Sequence, residues 1–126
     1  MPAAPTGNDR LFTVVIDQRR LDEDLAHSST EARAAGRAAA DAFARDGIRR
    51  SRLHPCMPED REGVALPGCV KTYIPDVNGA WGMVFALRAD EHARVYLELL
   101  AFGQRHPKRR STPSVYVVAA ARRAHL

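Results

Sequence analysis

The sequence has few cysteines, few aromatic residues and no long apolar run. Its two cysteines, Cys56 and Cys69, are too few for a disulfide framework, so we expect free thiols. No stretch approaches the ~20 apolar residues that a membrane span needs. Residues 1–8 also lack the basic and apolar pattern of a signal peptide. We therefore expect a cytoplasmic protein with no membrane partner.

Metal ligands are scarce as well. A protein metal site takes three or four ligands at suitable spacing. His54 and Cys56 lie two residues apart, but no second pair of comparable spacing accompanies them. We expect neither a metal ion nor another cofactor.

Acidic residues are missing from one region of the chain. All fifteen Asp and Glu precede residue 99, whereas residues 99–126 contain six Arg and Lys. The net charge of +4 is therefore concentrated near the end of the chain. A local positive field of this kind usually faces a polyanion, most often a nucleic acid.

Length and patterning predict one small domain. Residues 1–9 are rich in Pro, Ala and Gly and predict a flexible tail, and residues 10–126 suffice for one modest core. Apolar periodicity predicts strands at 11–16, 69–74, 81–88 and 93–104, and helices at 17–27, 30–46 and 115–125. The predicted class is α+β with the order β-α-α-β-β-β-α. We expect an antiparallel sheet with the helices packed on one face.

Five short segments form an ordered set. They are Ser29-Thr30 with Arg33, residues 66–71, residues 81–87, the Ala-Phe-Gly-Gln-Arg run at 101–105, and Val115-Tyr116 with Ala119 and Arg122. In this order they resemble the RelE family of bacterial toxins, within the wider RelE/ParE superfamily. The resemblance covers nearly the whole chain from Phe12 onward.

The resemblance implies a RelE-like fold and the toxin of a type II toxin–antitoxin system. Such a toxin is a ribosome-dependent, metal-independent endoribonuclease that cuts messenger RNA by attack of the 2′-hydroxyl on the adjacent phosphodiester. Its implied partners are messenger RNA, the ribosome with its ribosomal RNA, and a cognate antitoxin protein. The alternative is a non-catalytic member of the superfamily, either a gyrase-inhibiting toxin or a degenerate RNA-binding module.

The implied reaction needs a base, an acid and cations that stabilise the pentavalent phosphate. Arg105, at the end of a predicted strand, is the candidate phosphate contact, and Lys71 is the candidate base or phosphate clamp. Tyr116 would stack on a base or bond to ribose. His106 would transfer protons near neutral pH.

Further residues are candidates for RNA binding. They are Tyr73, Lys108, Arg109, Arg110, Arg122 and Arg123. Arg122 and Arg123 would also stabilise the end of the last helix through its dipole. Two positions depart from the RelE pattern, since Tyr73 replaces a second lysine and Gly82 replaces an arginine. Both departures remove a cation and favour the non-catalytic alternative.

Overall fold

A computed structural model describes residues 9–56, 66–75 and 77–123 of the chain. The predicted tail therefore lies outside the described residues except for Asp9. These ranges contain seven strands: β1 (Leu11–Phe12), β2 (Val14–Ile16), β3 (Ile48–Arg49), β4 (His54–Pro55), β5 (Cys69–Ile74), β6 (Trp81–Ala89) and β7 (Val95–Gln104). The same ranges contain three α-helices: α1 (Gln18–Ala26), α2 (Thr30–Asp46) and α3 (Val115–Arg123).

The first two helices begin and end where local chemistry dictates. The Asp17 carboxylate accepts hydrogen bonds from the first backbone N–H groups of α1, and the Ser29 hydroxyl caps α2 in the same way. Gly47 ends α2 with a φ of 76°, a conformation that favours glycine. The predicted bounds of α2 are confirmed, and those of α1 differ by one residue at each end.

Five strands form the main sheet in the order β2-β7-β6-β5-β4, and β1 pairs with β3 in a small separate sheet. Strands β4 to β7 pair antiparallel, but β2 runs parallel to β7, with Val14 opposite Leu97. The prediction of an antiparallel sheet is therefore wrong for its edge strand. A hairpin fixes the direction of a strand, whereas two helices and four described strands separate β2 from β7, so no turn fixes the direction of β2.

The sheet is covered on both faces, so the prediction of helices on one face is also wrong. Helices α1 and α2 pack on one face, where Leu21, Leu25 and Phe43 meet Met83, Phe85 and Phe102. Helix α3 packs on the other face, where Tyr116 and Ala119 meet Val84 and Leu100. The sequence of β6 contains a signal of this, because residues 81–86, Trp-Gly-Met-Val-Phe-Ala, form a continuous run without a charged side chain, as in a strand enclosed on both sides, and all six are buried.

The edge of β7 beyond β2 is covered by two charged side chains. The Asp24 carboxylate of α1 accepts a hydrogen bond from the backbone N–H of Phe102 at 2.9 Å. Arg122 of α3 donates to the carbonyl of Leu100 and forms two short bonds with Asp24, at 2.7 and 2.8 Å. These hydrogen bonds to Asp24 raise the pKa of Arg122. The ion pair therefore joins α1, β7 and α3.

Candidate functional site

The α3 face of the sheet carries an aromatic and cationic patch where β4, β5 and β6 lie side by side. His54 of β4 is opposite Lys71 of β5, and Tyr73 of β5 is opposite Gly82 of β6. Side chains two residues apart on a strand point to the same face, so Lys71 and Tyr73 share this surface. Arg105 follows β7 directly, and its backbone N–H donates to the carbonyl of Ala80 at 2.7 Å.

Three side chains form a layered arrangement that we call the aromatic stack: His54, Tyr73 and Arg105. The rings of His54 and Tyr73 are parallel within 16°, with centroids 4.6 Å apart. The guanidinium carbon of Arg105 lies 4.2 Å from the centroid of Tyr73. His54 comes from the β4 side of β5 and Arg105 from the β6 side, so the tyrosine ring lies between them. Such cation–π contacts are strongest where water is partly excluded.

Gly82 allows Arg105 to reach this position. A Cβ atom at Gly82 would lie 3.1 Å from Cδ and 3.2 Å from Cγ of Arg105. The arginine therefore crosses β6 above a residue without a side chain. The two departures from the RelE pattern act together here, because Gly82 provides the space and Tyr73 provides the surface on which Arg105 rests.

The charge of Arg105 has no acidic partner in the part of the chain that the structure describes. Its Nε atom is buried and makes no hydrogen bond to any described residue. Tyr73 is 41% exposed and His54 is exposed. Within the described ranges, the aromatic stack therefore presents a positive charge that no acidic side chain pairs with, which suits an anion such as a phosphate group.

Lys71 and Tyr116 lie on the same face, beneath α3. The ammonium nitrogen of Lys71 is 5.0 Å from the centroid of the Tyr116 ring. Lys71 is 9% exposed and Tyr116 is 2% exposed. The Tyr116 hydroxyl is buried and has no hydrogen-bond partner among the described residues. Lys71 and Tyr116 thus lie next to the aromatic stack, but both side chains are buried.

His106 and the basic residues after it lie apart from this patch. His106, Lys108 and Arg109 line a cleft near the C-terminal end of α1, together with Trp81 of the α1–α2 face. Arg110 lines a neighbouring depression that Lys108 and Arg109 share. Arg105 packs on Tyr73 on the α3 face, whereas His106 lines this cleft on the α1–α2 side, so the two consecutive residues lie on opposite sides of the sheet.

The last two candidates lie at the other end of α3. Arg122 is occupied by Asp24 and the edge of β7, as described above. Arg123 is near Cys69: burial raises the pKa of the Cys69 thiol, and the charge of Arg123 partly offsets that rise. Neither arginine is brought to the aromatic stack. Cys56 and Cys69 are not joined by a disulfide, as predicted.

His54 is a site residue that the sequence did not reveal as such. It lies in residues 48–67, which patterning predicts to be a long connection. Strand β4 is only two residues long, too short to show any alternation. The one available signal is that an imidazole occurs a short distance before a strand carrying Lys71 and Tyr73, and spacing alone cannot pair them.

No group of three or more His, Cys, Asp and Glu is placed to hold a metal ion within residues 9–56, 66–75 and 77–123. None of the helices in these ranges is long and apolar enough to cross a membrane. The sequence matches no protein-family model, and no curated protein or solved structure matches it significantly.

Proposed function

We propose that this protein is a RelE-like toxin of a type II toxin–antitoxin system that cuts messenger RNA on the ribosome. The observation that carries the proposal is the aromatic stack: Arg105, which has no acidic partner among the described residues, lies on Tyr73 beside an exposed His54. Lys71 and Tyr116 lie beside the stack on the same face of the sheet. In this proposal residues 10–126 form one RelE-like domain that acts in the cytoplasm and is neutralised by an antitoxin.

In the proposed reaction the 2′-oxygen of one nucleotide forms a bond to the adjacent phosphorus, and the bond from phosphorus to the next 5′-oxygen breaks. The products are a 2′,3′-cyclic phosphate and a free 5′-hydroxyl. Arg105 holds the phosphate and neutralises the charge that grows on its oxygens. His54 takes the proton of the 2′-hydroxyl, and the Tyr73 hydroxyl gives a proton to the leaving 5′-oxygen. Lys71 adds positive charge beneath the ring of Tyr116.

A second candidate function is supported by the burial of Lys71 and Tyr116. Since α3 covers both side chains, an RNA strand meets only the aromatic stack unless α3 moves. A protein of this kind would bind RNA without cutting it, or would act on another target such as gyrase. The exposed aromatic stack therefore favours the nuclease, and the buried Lys71 and Tyr116 favour a protein that does not cut RNA. Cleavage of message distinguishes the two functions.

The proposal is tested by expressing the protein in bacteria and mapping message ends by primer extension. Two reporter messages should be compared, one with a start codon and one in which the start codon is removed. We expect new 5′ ends within the translated reporter and none in the untranslated one. Growth arrest with both messages intact would contradict the proposal and support the non-catalytic alternative.

A further inference from the structure

A cleft lies at the end of the sheet where β6 begins and β7 ends, on the α1–α2 side. Its volume is about 710 Å³, within the range of small-molecule sites. His27, which follows α1, and Asn78, in the β5–β6 turn, form part of its wall. Gln104, the last residue of β7, lies opposite Trp81, and both line the cleft.

The charged side chains among the described lining residues, Lys108 and Arg109, are both positive. His106, Lys108 and Arg109 line it, and none of its described lining residues is acidic. Lys108 and Arg109 are exposed and form no ion pair with any residue in the described ranges. Among the described residues, an anion entering the cleft would therefore meet the cations Lys108 and Arg109 and no carboxylate.

The cleft also offers hydrogen-bonding groups that no described residue occupies. In the described part of the chain, the side-chain amides of Asn78 and Gln104 make no hydrogen bond. Each amide carries both donors and an acceptor, so it can pair with the edge of a nucleobase. The cleft thus combines cations for a phosphate with amides for a base.

We propose that this cleft binds one nucleotide, with its phosphate on Lys108 and Arg109 and its base against the amides of Asn78 and Gln104. Arg105 and His106 are consecutive, so their Cα atoms are about 3.8 Å apart. An RNA strand that crosses the end of the sheet can then place one phosphate at the aromatic stack and a neighbouring nucleotide in the cleft. This inference deepens the proposed function, and as a statement about RNA it rests on that function.

The single tryptophan lines the cleft and provides the measurement. Fluorescence of Trp81 should be titrated at low salt with adenosine monophosphate, with inorganic phosphate, and with a short 2′-O-methyl RNA that cannot be cut by 2′-attack. Adenosine monophosphate tests a free nucleotide as the occupant, and the RNA tests a nucleotide within a chain. We expect both to bind, the RNA more tightly, and inorganic phosphate to bind weakly. Equal affinity for inorganic phosphate and the nucleotide would overturn base recognition.

Arg109 and Arg110 form a matched pair of variants, since both are exposed arginines in the same loop but only Arg109 lines the cleft. Arg109→Ala should weaken RNA binding about tenfold, the loss expected for one charge-assisted contact. Arg110→Ala should change it less than about twofold, as expected for an exposed, solvated charge. Equal losses of RNA affinity in the two variants would show that RNA binds through the overall positive charge of the loop. They would contradict the proposed nucleotide site in the cleft.

The inference and the proposed function fail in different ways. If the wild-type protein binds nucleotide in the cleft but cuts no translated message, the nucleotide site is supported and the proposed nuclease activity is contradicted. If it cuts message while Arg109→Ala and Gln104→Ala bind RNA as the wild type does, the nuclease activity is supported and the nucleotide site in the cleft is contradicted.

Discussion

At the scale of single residues, two glycines set how closely the layers of this molecule approach. Gly36 of α2 faces the ring of Phe102, and a Cβ there would lie 2.7 Å from Cζ of that ring. On the opposite face of the sheet, a Cβ at Gly82 would lie 3.1 Å from Cδ of Arg105. One glycine therefore sets the helix–sheet spacing, and the other makes room for the aromatic stack.

The Gly36→Ala variant tests this spacing. Alanine favours a helix over glycine by about 1 kcal/mol, but the clash with Phe102 costs about 1–3 kcal/mol. We expect a net loss of stability in chemical denaturation. Gly103→Ala is the control, because its Cβ would meet Val115 only at 3.6 Å and beyond. Equal stability of the two variants would contradict the close packing of α2.

The Tyr73→Phe variant separates the ring of Tyr73 from its hydroxyl. Phenylalanine keeps the surface on which Arg105 and His54 pack, so the fold and RNA binding should be retained. Loss of a proton donor should slow cleavage by about 10²–10⁴-fold, measured on ribosomes programmed with a defined message. Tyr96→Phe, on the part of β7 far from Arg105, should cut at the wild-type rate. Full activity of Tyr73→Phe would contradict the role of the Tyr73 hydroxyl as the proton donor.

Among the elements, α3 depends on a partly buried ion pair for its position. The side chains of Asp24 and Arg122 are 9% and 14% exposed. The pair connects α3 to α1 and closes the edge of β7. An open strand edge invites pairing with other chains, so this contact also protects the molecule from association.

Asp24→Asn should lower the free energy of unfolding by about 3 kcal/mol, because it removes the buried carboxylate that binds Arg122 and leaves only the exposed Glu23, at 3.8 Å. Asp22→Asn is the matched control on the same helix. Asp22 pairs with Arg37 at 2.7 Å, but their side chains are 61% and 44% exposed, so its loss should cost under about 1 kcal/mol. Similar denaturation midpoints for the two variants would refute a structural role for Arg122.

The elements differ in how far the sequence predicts them. Both N-terminal helices follow from their apolar spacing and caps, and β5, β6 and β7 follow from apolar runs separated by turn residues. The parallel pairing of β2 does not follow, because no turn fixes it. Strands β3 and β4 are two residues each and carry no periodic signal. That is also why His54 could not be paired with Tyr73.

At the scale of the whole molecule, the basic C-terminal region is divided among three places. Arg105 lies on the α3 face, Lys108 and Arg109 line the end cleft, and Arg122 stabilises the packing of α3. The sequence predicts where the positive charge is concentrated, since that depends only on composition. The sequence cannot predict this division. It depends on the opposite sides of the sheet on which Arg105 and His106 lie, and on the contact of Arg122 with Asp24, 98 residues away along the chain.

Cleavage of a ribosome-bound message by purified Arg105→Ala, beside the wild type, tests the central claim most directly. Arg94→Ala is the control, since Arg94 is 76% exposed and pairs with Asp90 in the β6–β7 turn. The account predicts cutting by the wild type and Arg94→Ala, and a loss of about 10²-fold or more in Arg105→Ala, as for removal of one transition-state donor. Equal cutting by all three proteins, or none by the wild type, would contradict it.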